Sequence, residues 1–227
     1  MQLAIDTSTE FASLALVQEA DVLAELNWHC GQNHTVELLP RLDFLLQKAG
    51  HRVNEIDCIF VARGPGSFNG LRVGVAAAKG LSLALVIPII AVGTLAVTAY
   101  PHSQAGLPVF ALQNAGREEI VAAAYQNKPR KGWTQLVAEH ITTLSALLTG
   151  IKDRTIVCGE FDRTMARQIQ ATLKTRVRVP GPAARLRRAA FLAELGQLRR
   201  QQGDFDNPAI LQPLYLRRPP ITERKKK

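Results

Sequence analysis

The hydrophobic pattern of the chain has strand-like alternation followed by helical periodicity, and the N-terminal part shows it clearly. Short alternating runs joined by polar turns predict three strands, which are residues 2–7, 11–18 and 22–29. Alternating helices and strands are then predicted, at about 33–49 (helix), 57–62 (strand), 70–86 (helix), around Ile89 (strand) and from Thr94 toward Tyr100 (helix). A β-meander followed by an α/β alternation predicts one compact α/β half.

A second, smaller round of the same alternation follows a linker at residues 101–108, which contains two prolines and Gly106. Further strands are predicted at 109–113, 119–126, 134–141, 154–159 and 176–179, helices at 143–149 and 161–174, and a long basic helix at 183–201. The predicted domains are residues 1–106 and 107–227.

Residues 80–99 contain no charge over a length that could span a membrane. Pro88 and Gly93 interrupt this stretch, and proline removes a hydrogen bond from a continuous helix. A helix end, a β-branched strand and a new helix explain the stretch better, so no membrane association is expected.

The helices predicted at 33–49 and 70–86 carry more apolar surface than one side of a helix needs. The second has only Arg72, Lys79 and Ser82 as polar side chains, and its glycines and alanines would let another helix approach closely. A helix that is apolar nearly all round must be covered on both sides. We therefore expect the two helices to form an interface with another polypeptide; burial by the second half of the chain is the alternative.

The net charge of +9 is distributed unevenly. Residues 1–150 contain 10 Lys/Arg and 12 Asp/Glu, whereas residues 151–227 contain 18 and 7. A basic C-terminal third can be a solvated helix face or can contact a phosphate backbone. The candidate RNA contacts are Arg185, Arg187 and Arg188, and the scarcity of nearby aromatics argues against base stacking.

The three cysteines are odd in number and scattered, without a CxxC pair, and no secretion signal is visible at the N-terminus. A reducing cytoplasm is the expected compartment, and Cys58 and Cys158 read as buried small side chains. His29 and His34 flank Cys30 with a spacing that does not suit one helical face, so no metal site is predicted.

Two loops could hold a phosphate. Asp6, Thr7 and Ser8 occupy the turn after the first strand, where hydroxyls and backbone N–H groups could bind oxygens; local capping is the alternative. Arg63, Gly64 and Ser67 belong to a glycine-rich connection between a strand and a helix, which is either an anion contact or a capped turn. It lacks the Gly-Lys-Ser/Thr ending of a Walker loop.

Four segments together resemble the bacterial TsaB (YeaZ) family, whose members are noncatalytic relatives of the transferase TsaD. These segments are LAIDTST (3–9), HTVELLP (34–40), RGPGSFNGLRVG (63–74) and PLYLR (213–217). The resemblance is dense over the first hundred residues and sparse afterwards. It implies two related half-domains of the actin, Hsp70 and hexokinase (ASKHA, ribonuclease H-like) superfold, the second smaller and degenerate.

The resemblance also implies a function. The chain would bind and activate TsaD, which transfers threonylcarbamoyl to N6 of adenosine 37 in tRNAs that read ANN codons, with the ATPase TsaE joining the complex. In relatives, the two N-terminal helices form the contact. The partner-binding residues would then be His34, Leu38, Leu42, Leu71, Val75 and Ala78.

Two departures from the family pattern matter. Asn114-Ala115-Gly116-Arg117 replaces the Asp-Ala-Arg of relatives, and the HxxxH and Gly-Gly segments of TsaD are absent. We therefore expect no catalysis by this chain alone and no tightly bound cofactor, with ATP or ADP and Mg²⁺ belonging to the complex.

Two alternatives remain open. One is an enzyme, either a phosphotransferase that uses Asp6 to coordinate Mg²⁺ or a glycoprotease-like peptidase. The other is a homodimeric tRNA-binding module, and a homodimer could also form when TsaD is missing.

Overall fold

Two five-stranded sheets form the framework of the protein, and they have equivalent strand orders when the second is read from its opposite edge. The structure is a computed structural model that describes residues 1–19 and 21–217. The first sheet has the order β3-β2-β1-β4-β5 and contains β1 (Gln2–Asp6), β2 (Phe11–Gln18), β3 (Asp21–His29), β4 (Cys58–Ala62) and β5 (Ile89–Val92). The second has the order β10-β9-β6-β7-β8 and contains β6 (Val109–Gly116), β7 (Glu119–Lys128), β8 (Gly132–Thr143), β9 (Thr155–Glu160) and β10 (Val177–Arg178).

The two halves repeat one topology. In the first sheet, β1 lies antiparallel to β2 and parallel to β4; in the second, β6 lies antiparallel to β7 and parallel to β9. The strand that corresponds to β5 is β10, which has only two residues. The prediction of two related α/β halves, the second degenerate, is confirmed.

Within the described residues, six α-helices cover the sheets: α1 (His34–Ala49), α2 (Phe68–Leu85), α3 (Thr94–Ala99), α4 (Leu144–Gly150), α5 (Arg163–Leu173) and α6 (Ala189–Gln201). Helices α1 and α2 bury apolar side chains in the same core as β1, β2 and β4. The opposite face of the first sheet packs against α6. There the glycine at position 196 lets the helix lie against Phe60, since a Cβ would come within 2.3 Å of the phenyl ring. The first sheet is therefore completed by a helix from the end of the chain.

The prediction of a long basic helix at 183–201 is wrong for the residues before Ala189. Residues 182–185 form a 3₁₀ turn, and α6 begins only at Ala189. The backbone N–H of Ala189 donates to Ser13 Oγ at 2.7 Å, and that of Ala190 donates to Glu25 Oε1 at 3.0 Å. The start of α6 is thus capped by side chains of β2 and β3 rather than by a preceding helical turn, which local periodicity cannot reveal.

The uncharged stretch 80–99 folds as predicted, into the end of α2, strand β5 and helix α3. Within the described part of the chain, no helix is both long enough and apolar enough to cross a membrane. The predicted linker is a 3₁₀ helix at Tyr100–Ala105 that leads into β6.

The cysteines are buried, as predicted for Cys58 and Cys158. Burial raises the pKa of Cys58 to about 11 and that of Cys158 to about 12, so both remain thiols at neutral pH.

Candidate functional site

A buried ionic network joins the turn after β1 to the end of β9 and the start of α6. Asp6 lies at the end of β1 with its side chain 1% exposed. Its Oδ1 accepts from Ser8 N at 2.9 Å and from Ser8 Oγ at 2.5 Å. Its Oδ2 accepts from Arg187 Nε at 2.6 Å. Both carboxylate oxygens of Asp6 are therefore engaged within the chain.

The guanidinium of Arg187 makes two further contacts, with Thr9 and Glu160. The four residues Asp6, Thr9, Glu160 and Arg187 are called the Arg187 network below. Nη1 donates to Glu160 Oε1 at 2.8 Å, and Nη2 donates to Thr9 Oγ1 at 2.8 Å. The Thr9 hydroxyl in turn donates to Glu160 Oε1 at 2.8 Å. Burial by itself would lower the pKa of Arg187, but the attraction of Asp6 and Glu160 outweighs it and raises the pKa. The buried guanidinium thus stays charged and is matched by two carboxylates.

The residues around Asp6 do not fit a magnesium-bound nucleotide. A carboxylate that coordinates Mg²⁺ or its water needs a free oxygen facing the ion. In this chain a cationic guanidinium occupies that side of Asp6, while Thr7 and Ser8 are also buried and turned inward. Thr7 Oγ1 donates to the Gly70 carbonyl at 2.7 Å. The Asp6–Ser8 turn therefore has a structural role, because its side chains bond to other parts of the chain.

The glycine-rich connection packs against the same turn. Ser67 N donates to the Ser8 carbonyl at 2.7 Å, and Ser67 Oγ caps α2 by accepting from Gly70 N. A Cβ at Gly66 would lie 2.2 Å from the Ser8 carbonyl oxygen, and one at Gly74 would lie 2.2 Å from Thr7 Oγ1. Close packing of the Thr7–Ser8 backbone and side chains against this connection and α2 accounts for these glycines, as in the capped-turn alternative.

The other two candidate phosphate ligands, Arg63 and Gly64, are adjacent at the start of the glycine-rich connection. Gly64 is buried, and its N–H donates to Thr94 Oγ1 at 3.1 Å. The Arg63 side chain is exposed, while its carbonyl accepts from Leu214 N at 2.7 Å. The loop therefore holds the PLYLR segment by a backbone contact.

A cleft of about 1030 Å³ opens beside the Arg187 network, and its lining includes Thr9 and Glu160. Aromatic side chains from both halves form much of its wall. The Phe68 and Tyr215 rings lie 5.1 Å apart, and the Arg185 guanidinium lies 4.4 Å from the centre of the Phe161 ring. The cleft is therefore mainly apolar, with the network at its border.

The outward side of α1 and α2 carries a second concave feature. A groove of about 380 Å³, which we call the outer groove, is lined by Thr35, Leu38, Leu39, Arg72, Val73, Ala76 and Ala77. Large apolar side chains on and beside these two helices are exposed: Val36 is 68%, Leu39 55%, Phe44 50%, Leu83 62% and Val86 90% exposed. Exposed large apolar side chains beside a groove are typical of an interaction surface.

The residues predicted to contact a partner have to be corrected, because the structure buries them. Leu42, Val75 and Ala78 lie in the core shared with the first sheet. Leu71 is fully buried, and Leu38, which is 2% exposed, lines the outer groove from below. His34 is also buried, with Nε2 2.7 Å from the Thr9 carbonyl oxygen. The bounds of the two helices were predicted well, but the residues named as contacts lie on their buried sides, because an apolar pattern does not show which face meets the sheet.

One of the predicted RNA contacts, Arg187, has to be corrected because it is buried, whereas Arg185 and Arg188 stay predictions. Arg187 is buried in its network, and Arg188 forms an ion pair with Glu25. Arg185 donates to the Phe161 carbonyl at 3.0 Å as it covers the ring. These three arginines hold the C-terminal segment onto the rest of the protein. Sequence reasoning missed the roles of Thr9 and Glu160, and no local pattern signals a contact between residues so far apart in the chain.

Comparisons with known proteins agree with one another. Residues 29–219 match the family described as "TsaD: tRNA N6-adenosine threonylcarbamoyltransferase". The tRNA threonylcarbamoyladenosine biosynthesis protein TsaB of Bacillus subtilis is 32% identical, covering 86% of each chain; that of Haemophilus influenzae is 28% identical, covering 95% of this chain and 92% of the other.

Solved structures show the same relationship. YeaZ from Pseudomonas aeruginosa superposes with a TM-score of 0.77 at 25% identity, covering 95% of this chain and 99% of the other. The ethanolamine utilization protein EutJ from Carboxydothermus hydrogenoformans is 12% identical with a TM-score of 0.51, covering 86% and 89% of the two chains. The latter likeness concerns the fold alone, and it agrees with the predicted ASKHA class.

Proposed function

The chain belongs to the TsaB (YeaZ) family, and from this premise we propose that it is a noncatalytic subunit in tRNA threonylcarbamoyladenosine biosynthesis. Its partner would be TsaD, docked on the outer groove and the exposed apolar side chains beside it. The observation that carries the proposal is the exposure of Leu39, Phe44 and Leu83 on adjoining helices that already bury their inner faces. Covering such side chains removes apolar area from water, which drives association.

The Arg187 network supports a noncatalytic role. In an ASKHA-type phosphotransferase, Asp6 would be the carboxylate for Mg²⁺, but here its oxygens accept from Ser8 and Arg187. We propose that ATP or ADP is bound elsewhere in a larger complex with TsaD and TsaE. The tRNA would likewise be engaged through the complex.

Activation of TsaD would be conformational. A subunit that binds one arrangement of its partner more tightly shifts the partner's population toward it, by no more than the difference in the two affinities. The two sheets and the network that ties them together give the chain a rigid frame from which α1 and α2 can present the groove.

Co-expression with the host's TsaD tests the docking face. Ala76→Glu places a charge in the outer groove at an exposed helical position, so folding should be preserved while co-purification is lost. The matched control is Ala171→Glu, an exposed alanine of α5, which should co-purify like the wild type. Retention of TsaD by Ala76→Glu would refute the outer groove as the contact.

Further assays address the alternatives. Threonylcarbamoyl transfer by the purified chain without TsaD would refute a noncatalytic role, as would ATP turnover or casein cleavage that Asp6→Ala abolishes. Light scattering of the chain alone tests self-association: a dimer that Ala76→Glu dissociates would show that a second copy covers the groove when TsaD is missing.

A further inference from the structure

The described residues of the last third carry much of their positive charge on the surface of the second half. Six exposed basic residues form what we call the basic patch: Lys152, Arg154, Arg163, Arg167, Lys174 and Arg176. None of them forms an ion pair with a carboxylate of the described residues. By contrast, Arg187, Arg188, Arg199 and Arg200 are each paired with Asp or Glu. The arginines near α6 are therefore neutralised internally, and the basic patch is not.

The fold brings the six residues together. At 100° per residue, Arg163 and Arg167 lie 40° apart on the α5 helix, on the side away from the buried Ile169, and Lys174 is the first residue after the helix. Arg176 follows directly and donates from Nη1 to the Ile151 carbonyl at 3.0 Å, which places it beside the loop that carries Lys152 and Arg154. The patch thus runs from the loop before β9 along the outer side of α5.

The chemistry of the patch favours a phosphate backbone. Four of the six residues are arginines, whose planar guanidinium groups match phosphate oxygens. The α5 row extends for about 16 Å, a length over which a nucleic acid duplex presents several phosphates. Asp153 lies within the patch and Asp162 caps α5, so the field is positive but not extreme.

A membrane or a base-stacking site would need different side chains. None of the exposed large apolar residues of the described chain lies between positions 150 and 180, so the surface has nothing to insert into a bilayer. Phe161, the nearest aromatic in sequence, is covered by Arg185. Contacts between basic side chains and phosphates position an RNA without reading its sequence.

We propose that the basic patch is an electrostatic docking surface for the phosphate backbone of a folded RNA, independent of the outer groove. The choice of RNA over DNA rests on the proposed function, whereas the assignment of a phosphate-binding surface does not depend on that function. An RNA bound to the basic patch would leave the outer groove free. One chain could then bind TsaD through α1 and α2 and contact the RNA substrate of TsaD through α5.

The test measures binding of labelled, unmodified tRNA to the full chain by fluorescence anisotropy between 50 and 300 mM KCl. Arg163→Glu/Arg167→Glu/Lys174→Glu should weaken binding more than tenfold at 100 mM KCl. It should also reduce the slope of log K against log salt by about 2 to 3, since each lost phosphate contact removes about 0.7–0.9. The control, Arg117→Glu/Arg130→Glu/Lys131→Glu, makes the same charge change at exposed turns and should stay within twofold of the wild type.

Equal losses in the two triple variants would overturn the proposal, because net charge alone would then explain binding. Unchanged binding by the α5 variant would overturn it too, as would tighter binding of the wild type to phosphatidylserine vesicles than to tRNA. Co-purification of TsaD with the α5 variant should be normal. A failure of RNA binding is thereby distinguished from a failure of the proposed TsaD contact.

Discussion

Arg187 and Asp6 are 181 residues apart in the chain, yet the guanidinium Nε lies 2.6 Å from the carboxylate Oδ2 in a buried site. The pair joins the first strand to the segment that leads into the last helix. Through Glu160 at the end of β9, the same guanidinium also reaches the second sheet. One buried cation therefore connects both sheets and α6.

Arg187→Met should lower the free energy of unfolding by about 3–5 kcal/mol, because it leaves Asp6 buried without its counter-ion. Urea denaturation followed by circular dichroism measures the loss. Arg188→Met is the matched control. The Arg188 side chain is 47% exposed, and its partner Glu25, which is 9% exposed, keeps a hydrogen bond from Ala190 N, so we expect a smaller loss of about 1–2 kcal/mol. Equal losses in the two variants would contradict the account of the network.

A double variant, Asp6→Asn/Arg187→Met, separates lost attraction from uncompensated charge. Removing both charges leaves no buried ion at Asp6, so it should recover at least half of the stability lost in Arg187→Met. Glu160 tolerates the change because its side chain is 33% exposed and can be hydrated. If the double variant is less stable than Arg187→Met, the packing of the guanidinium matters more than its charge.

Two glycines of α2 should respond to alanine in opposite directions. In an open helical position, Gly→Ala stabilises by up to about 1 kcal/mol, and a Cβ at Gly80 would meet nothing within 4 Å. At Gly74 the Cβ would lie 2.2 Å from Thr7 Oγ1, so we expect Gly74→Ala to destabilise by about 1–3 kcal/mol. Thermal melting of the two variants measures the difference.

The same clash can be relieved from the other side. Thr7→Ala removes the hydroxyl that a Cβ at position 74 would contact. The stability lost through Thr7→Ala should therefore be smaller in the Gly74→Ala variant than in the wild type. Additive losses would show that the close approach of α2 to the β1 turn is not what disfavours a side chain there.

The elements of this fold were largely predictable from local pattern, because alternation in β1 and helical periodicity in α1 are set by residues near one another. The orientation of α1 and α2 was not, since apolar side chains such as Leu39 and Leu42 look alike until the sheet buries one of them. Arg187 was read as a surface charge for a related reason. Its two carboxylate partners come from other parts of the chain, and only the assembled fold brings them close.

Acidification should destabilise the protein partly through His102, in the 3₁₀ helix before β6. Burial lowers the pKa of His102. The nearby backbone of Ala184 opposes this lowering, and the Arg178 guanidinium adds to it. In the unfolded chain the pKa of histidine is about 6.5. Below that value the unfolded chain binds a proton that the folded chain resists, so stability falls as the pH is lowered toward the pKa of the folded state.

Urea titrations of the wild type and His102→Gln at pH 7.5 and 5.5 check this. Glutamine cannot be protonated in this range, so the variant should lose less stability on acidification than the wild type does. His29→Gln is the control for loss of an imidazole as such, because the His29 side chain is 60% exposed. An unchanged pH dependence in His102→Gln would show that the acid sensitivity arises at other groups.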